Sequence, residues 1–69
     1  MNRYNILQQC IHTTAQARHN YLISKDIIDR EVYRCWYMWL GTIAFDESET
    51  MELRQEALDA MHRLQMSLS

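Results

Sequence analysis

The sequence predicts an all-α fold, a helical hairpin or three-helix unit that dimerises into a helical bundle. Three observations predict it. The 69 residues contain no proline and one glycine, Gly41, so the strongest breakers of regular structure are nearly absent. Apolar residues recur three and four apart along most of the chain, which is the helical period. No segment alternates apolar and polar as a half-buried strand does, and there is no repeat or low-complexity tract.

The first helix is expected over about residues 3–22. Tyr4, Leu7, Ile11, Thr14, Arg18 and Tyr21 follow the helical spacing, and Ile6, Cys10 and Ala17 widen the stripe. Thr13, Thr14, His12 and Asn20 are mediocre helix formers, so this helix must lean on tertiary packing. A break is expected at Ser24–Asp26, where either Ser24 or Asp26 can accept from the free amides of a new helix. Asp26 and Arg30 form an i,i+4 pair of opposite charge.

The second helix, about residues 26–45, carries two apolar stripes. Ile28, Val32, Cys35/Trp36, Trp39 and Ile43 form one, and Tyr33, Tyr37, Leu40 and Ala44 the other. From Cys35 to Phe45 it is apolar almost all round, which describes a helix covered on more than one side. Gly41 either bends this helix or permits a close approach. The third helix, about residues 47–66, is expected to open at a capping box of Asp46 and Glu49. Its stripe is Leu53, Ala57, Ala60/Met61, Leu64 and Leu68, with Leu53, Ala57, Met61 and Leu64 in the core. Fusion of the second and third helices into one rod is the alternative that gives a hairpin.

A chain of this length is expected to be one domain, 1–69. It buries only about 60% of its unfolded surface, so a disulfide, a metal or an oligomer interface usually supplements the core. Cys10 and Cys35 lie in helix interiors outside any CxxC spacing, and are expected to be small, half-buried core residues suited to a reducing cytoplasm. No secretory pattern is evident at the N-terminus. Oligomerisation, as a homodimer, is left as the source of extra burial.

The net charge is −2, which disfavours a grip on nucleic acid by charge alone. Charge is uneven, with Arg3, Arg18, Lys25, Arg30 and Arg34 early and Asp46, Glu47, Glu49, Glu52, Glu56 and Asp59 late. Ordinary solvated helix faces explain this. An antiparallel pairing of two chains, or an acidic face offered to a basic partner, explains it as well.

Several chemistries fit poorly. His12 and His19 share a face but lie two turns apart, and no HxxxH or CxxC pair exists, so His12, His19, His62, Cys10 and Cys35 are not expected to hold a metal. Cys10 and His12 are the only close nucleophile–base pair, and residues i and i+2 of a helix diverge; no catalytic role and no cofactor are expected. A DNA-recognition helix over 24–40 would present Trp, Tyr and Met where Arg, Asn and Gln are needed. The apolar run is shorter than the roughly 20 residues that span a bilayer, and an interfacial helix would need more Lys and Arg.

The rings of Tyr33, Trp36, Tyr37, Trp39 and Phe45 exceed what so small a core can bury, since each covers about 150–250 Å². By helical phase, Trp36, Trp39 and Ile43 are assigned to the core or a dimer seam. Tyr33, Tyr37 and Leu40 are assigned to an outer partner-binding face, with Trp39 at its boundary and Arg30 and Arg34 at its rim.

The residues Tyr33-Arg34, Trp39-Leu40 and Ala44 make a YRxxxxWLxxxA pattern. It resembles the phage-encoded quorum-sensing anti-activator of Pseudomonas phages and, more distantly, the aggregative-adherence negative regulator family of virulence plasmids and phages. The resemblance covers residues 33–44; the glycine and alanine pairs of the negative-regulator pattern are missing. It implies a small helical, non-enzymatic regulator that binds a host regulatory protein, a transcription regulator or nucleoid protein. It places functional aromatics at Tyr33 and Trp39. The expected function is therefore to inhibit or modulate such a partner through an aromatic helical face, without direct contact to nucleic acid or membrane. A DNA-binding dimeric transcription regulator and a secretion-type chaperone masking an amphipathic helix are the alternatives.

Overall fold

A computed structural model describes residues 2–66. Among them are three packed α-helices and no strand: α1 (Arg3–Ser24), α2 (Ile27–Ala44) and α3 (Met51–Leu64). The all-α expectation is met.

Each helix starts where a short polar side chain can accept from a free amide. Asn2 caps α1, its Oδ1 accepting from the Tyr4 amide at 2.8 Å. Asp26, one of the two expected residues, caps α2 by accepting from the Ile28 amide at 2.8 Å. Between α1 and α2 the chain reverses at Lys25, whose φ of 57° is left-handed. Its amide donates to the Tyr21 carbonyl at 2.8 Å, closing α1. Ser24 binds both sides of this turn, accepting from the Asp26 amide and donating to the Asp29 carboxylate. That carboxylate is thereby engaged in the first turn of α2, where negative charge suits the helix dipole. The expected Asp26–Arg30 ion pair is not formed among the described residues; the cap holds Asp26 elsewhere.

Helices α2 and α3 are separate. The expected capping box of Asp46 and Glu49 is replaced by a turn in which Asp46 accepts from the Ser48 amide (2.9 Å) and hydroxyl (2.6 Å). Thr50 then caps α3, accepting from the Leu53 amide at 3.2 Å. The helix consequently begins at Met51, four residues later than expected. Arg54 ties the two ends together by donating to the Ala44 carbonyl at 3.2 Å.

The inner faces follow one rule. Leu7, Cys10, Thr14 and Ala17 of α1 are buried, as are Tyr33, Leu40 and Ala44 of α2 and Ala57 and Ala60 of α3. The α1 and α3 sets keep 3–4 spacing, and half-buried Tyr37 completes it between Tyr33 and Leu40 of α2. The α1 and α3 contributions are mostly small, so these helices approach α2 closely. Gly41 serves that approach: a Cβ there would sit 3.5 Å from Met61 Cε. Buried Thr14 is satisfied, its hydroxyl donating to the Cys10 carbonyl at 2.7 Å. Leu53, Met61 and Leu64 pack as partly buried residues around this centre, as do Trp36 and Ile43. The expected α3 stripe thus lies inward; Leu68 falls outside the described residues.

Candidate interaction surface

The two stripes of α2 are placed differently from expectation, although Trp36 and Ile43 pack partly buried against the core as assigned. Tyr33 and Leu40, assigned to an outer face, are 2% and 0% exposed, and Tyr37 is half-buried. Val32, Cys35 and Trp39, assigned to the core stripe or its boundary, are exposed, Trp39 at 58%. At 3.6 residues per turn Tyr33, Tyr37 and Leu40 point about 130° away from Val32, Cys35 and Trp39, so only one of these sets can face the other helices.

Hydrogen bonding explains the choice. The last four carbonyls of a helix lack intrahelical donors. Two tyrosine hydroxyls of α2 supply them to α3: Tyr33 donates to the Leu64 carbonyl at 2.7 Å and Tyr37 to the Met61 carbonyl at 3.2 Å. Their rings stack at 5.5 Å between centroids, tilted by 36°. Buried phenols therefore leave no hydroxyl orphaned and at the same time close α3. Burial is the main reason that the Tyr33 phenol is pushed above its ordinary pKa; the neighbouring Tyr37 adds to the shift, while Arg18 and the Met66 backbone act against it. The missed signal was on the neighbouring helix, in the free carbonyls at the end of α3.

Of the residues expected to bind a partner, Trp39 and Arg34 are therefore on the surface, while Tyr33 and Leu40 are interior and Tyr37 and Arg30 lie half-covered. Arg34 reaches Glu31 at 3.9 Å, one turn back. The exposed apolar face instead consists of Ile28, Val32, Cys35 and Trp39, flanked by Ile27 and Met38. Missing from the expected site were Ile27, Ile28, Val32, Cys35 and Met38; their spacing was visible, their direction was not.

This face is grooved. Ile27, Ile28, Glu31, Val32, Cys35 and Trp36 line a shallow depression of about 530 Å³. A deeper cleft of about 280 Å³ opens between α1 and α2, where Trp36 and Trp39 meet Ile6 and Thr13. Trp39 forms a wall of this cleft and of the neighbouring depressions, one of which runs down to Arg3, Asp46 and Glu49. There Arg3 and Glu49 pair at 2.6 Å. Asp46 beside them has its pKa lowered, chiefly by the hydrogen bonds from Ser48, with Arg3 and Arg54 assisting.

The two thiols differ. Cys10 is buried and burial raises its pKa, with the Thr14 hydroxyl acting weakly against; Cys35 is open to solvent, against expectation. Among the described residues the cysteines are unbridged, no three His, Cys, Asp or Glu side chains converge as metal ligands, and no helix is long and apolar enough to cross a membrane. No protein-family model, curated protein or solved structure matches the chain.

Proposed function

We propose that the chain is a non-enzymatic binding protein that inhibits or modulates a host regulatory protein by seating it on the outer face of α2. The observation that carries this reading is the run Ile28, Val32, Cys35 and Trp39, exposed along one side of a helix whose other side is fully occupied. A lone exposed apolar residue means little, but a contiguous grooved patch on so small a chain marks an interaction site. Trp39 is suited to be its anchor, because tryptophan dominates the energetics of interfaces and stands here at the junction of the grooves. An amphipathic helix laid into the depression is the fitting partner chemistry, with Glu31 and Arg34 as charged rim. A DNA-binding reading gains nothing from this face, where Ile, Val and Trp stand in place of base-reading polar groups.

The test is capture from host lysate by the wild-type chain and by Trp39→Ala. At least 2 kcal/mol, about 30-fold in affinity, should be lost with the melting midpoint nearly unchanged. Capture by Trp39→Ala at wild-type strength would place the binding surface elsewhere.

A further inference from the structure

We infer that, before any target arrives, the outer face of α2 is covered by a second copy of the chain, packed antiparallel about a two-fold axis at Cys35. This inference rests on the reading of that face as the binding surface and names its first occupant. Positions 28, 32, 35, 39 and 42 run at intervals of four, three, four and three, which is the repeat of a two-helix seam. Helix α2 thus has two such seams, and the chain itself fills only the inner one. The outer one is self-complementary. Rotated about Cys35, Ile28 meets Thr42 of the second copy, and Val32 meets Met38 and Trp39. The thiol, the smallest apolar group of the stripe, lies where the two helices come nearest.

Area agrees. Ile6, Ile27, Ile28, Val32, Met38 and Trp39, all between 43% and 69% exposed, offer roughly 700 Å², close to the ~800 Å² per partner of a stable interface. Charge selects the direction. Beyond the end of α2 lie Asp46, Glu47 and Glu49, three acids against the two cations Arg3 and Arg54, with the negative end of the helix dipole beside them. A parallel pair would set two such acidic ends side by side. The antiparallel pair sets each against the start of the other α2, where Lys25 and Arg30 balance Asp26 and Asp29 and the helix dipole is positive.

Sedimentation equilibrium and disulfide trapping with diamide test this on the purified full chain. At tens of micromolar the mass should be twice the 8.4 kDa of one chain, and Val32→Glu should return it to one with helicity retained and a melting midpoint that no longer rises with concentration. Trapping, which takes two electrons and two protons from a thiol pair, should join Cys35 to Cys35 of the second copy. Direction is read in a Cys35→Ser background. An antiparallel pair holds the two Ile28 positions about 21 Å apart, from 1.5 Å of rise per residue. That is well beyond the ~7 Å Cα limit for a disulfide. Ile28→Cys alone should therefore not cross-link, whereas a mixture of Ile28→Cys and Thr42→Cys chains should. A one-chain mass throughout, or a dimer that Val32→Glu leaves intact, overturns the inference; so does efficient cross-linking of Ile28→Cys with itself. A monomeric wild type whose Trp39→Ala variant still loses its captured protein would overturn the dimer alone and leave the proposed function standing.

Discussion

The inner and outer faces of α2 have the same spacing, and the outer one, without tyrosine hydroxyls, is the more apolar of the two, yet the inner one is core and the outer one surface. Leu40 and Ala44 pack with Cys10, Ala57 and Ala60 of α1 and α3, and Tyr33 and Tyr37 carry the hydroxyls that close α3. Ile28, Val32, Cys35 and Trp39 have bulk but no such complement within the chain. The direction of an amphipathic helix is thus set by what its neighbours can accept, and apolarity alone does not decide it.

The largest contrast should come from truncating one residue on each face. Leu40→Ala, at a position without exposure, should cost about 2–5 kcal/mol of stability. Trp39→Ala should change it by only ~0.5 kcal/mol when measured by denaturant unfolding below the concentration of any association. Equal losses would erase the distinction between the faces.

A subtler cut is Tyr33→Phe, which keeps the ring but leaves the Leu64 carbonyl without its donor. It should cost about 1–3 kcal/mol. The variant also reports on alkali. Because the Tyr33 pKa in the fold lies above its ordinary value of 10.0, the native state holds this proton longer than the unfolded chain. Its contribution is complete below pH 10 and declines as pH rises toward the raised value. Thermal melts across that range should show wild type losing stability more steeply than Tyr33→Phe.

Gly41→Ala should go the other way. A methyl group there meets Met61 Cε at ordinary contact distance, and alanine is favoured over glycine within a helix by about 0.5–1 kcal/mol. A raised melting midpoint would show that the inner face has room for one more carbon; a fall would show that it has none.

The smallest effect is in the turn. The Asp46 pKa is lowered by Ser48, so the stabilisation it provides is present above the ordinary carboxylate range and fades as pH falls from about 4 through the lowered value. Asp46→Asn should flatten the acid limb of a melting-versus-pH curve slightly and leave neutral pH almost untouched.

Much of this architecture was legible in residue spacing. Leu7 and Thr14 of the α1 stripe and the α3 stripe of Leu53, Ala57 and Met61 turn inward as their spacing predicts, whereas Cys10 and Ala17, expected only at the edge of the α1 stripe, are buried with Leu7 and Thr14, and Asp26 is one of the two caps that were expected. Where two readings competed, sequence alone could not choose. Asp46, Ser48 and Thr50 are all competent caps, and Thr50 is the one that opens α3. Tyr33 and Trp39 are both large rings on a doubly apolar helix, and the deciding fact was an acceptor 31 residues away.

That remote acceptor also ties the dryness of the second helix to the last turn of the third. A chain cut before residue 61 would keep Tyr33 and Tyr37 but lose both carbonyls that answer their hydroxyls. The inner face of α2 would then be wetted, and its rings would join the outer stripe as exposed apolar surface.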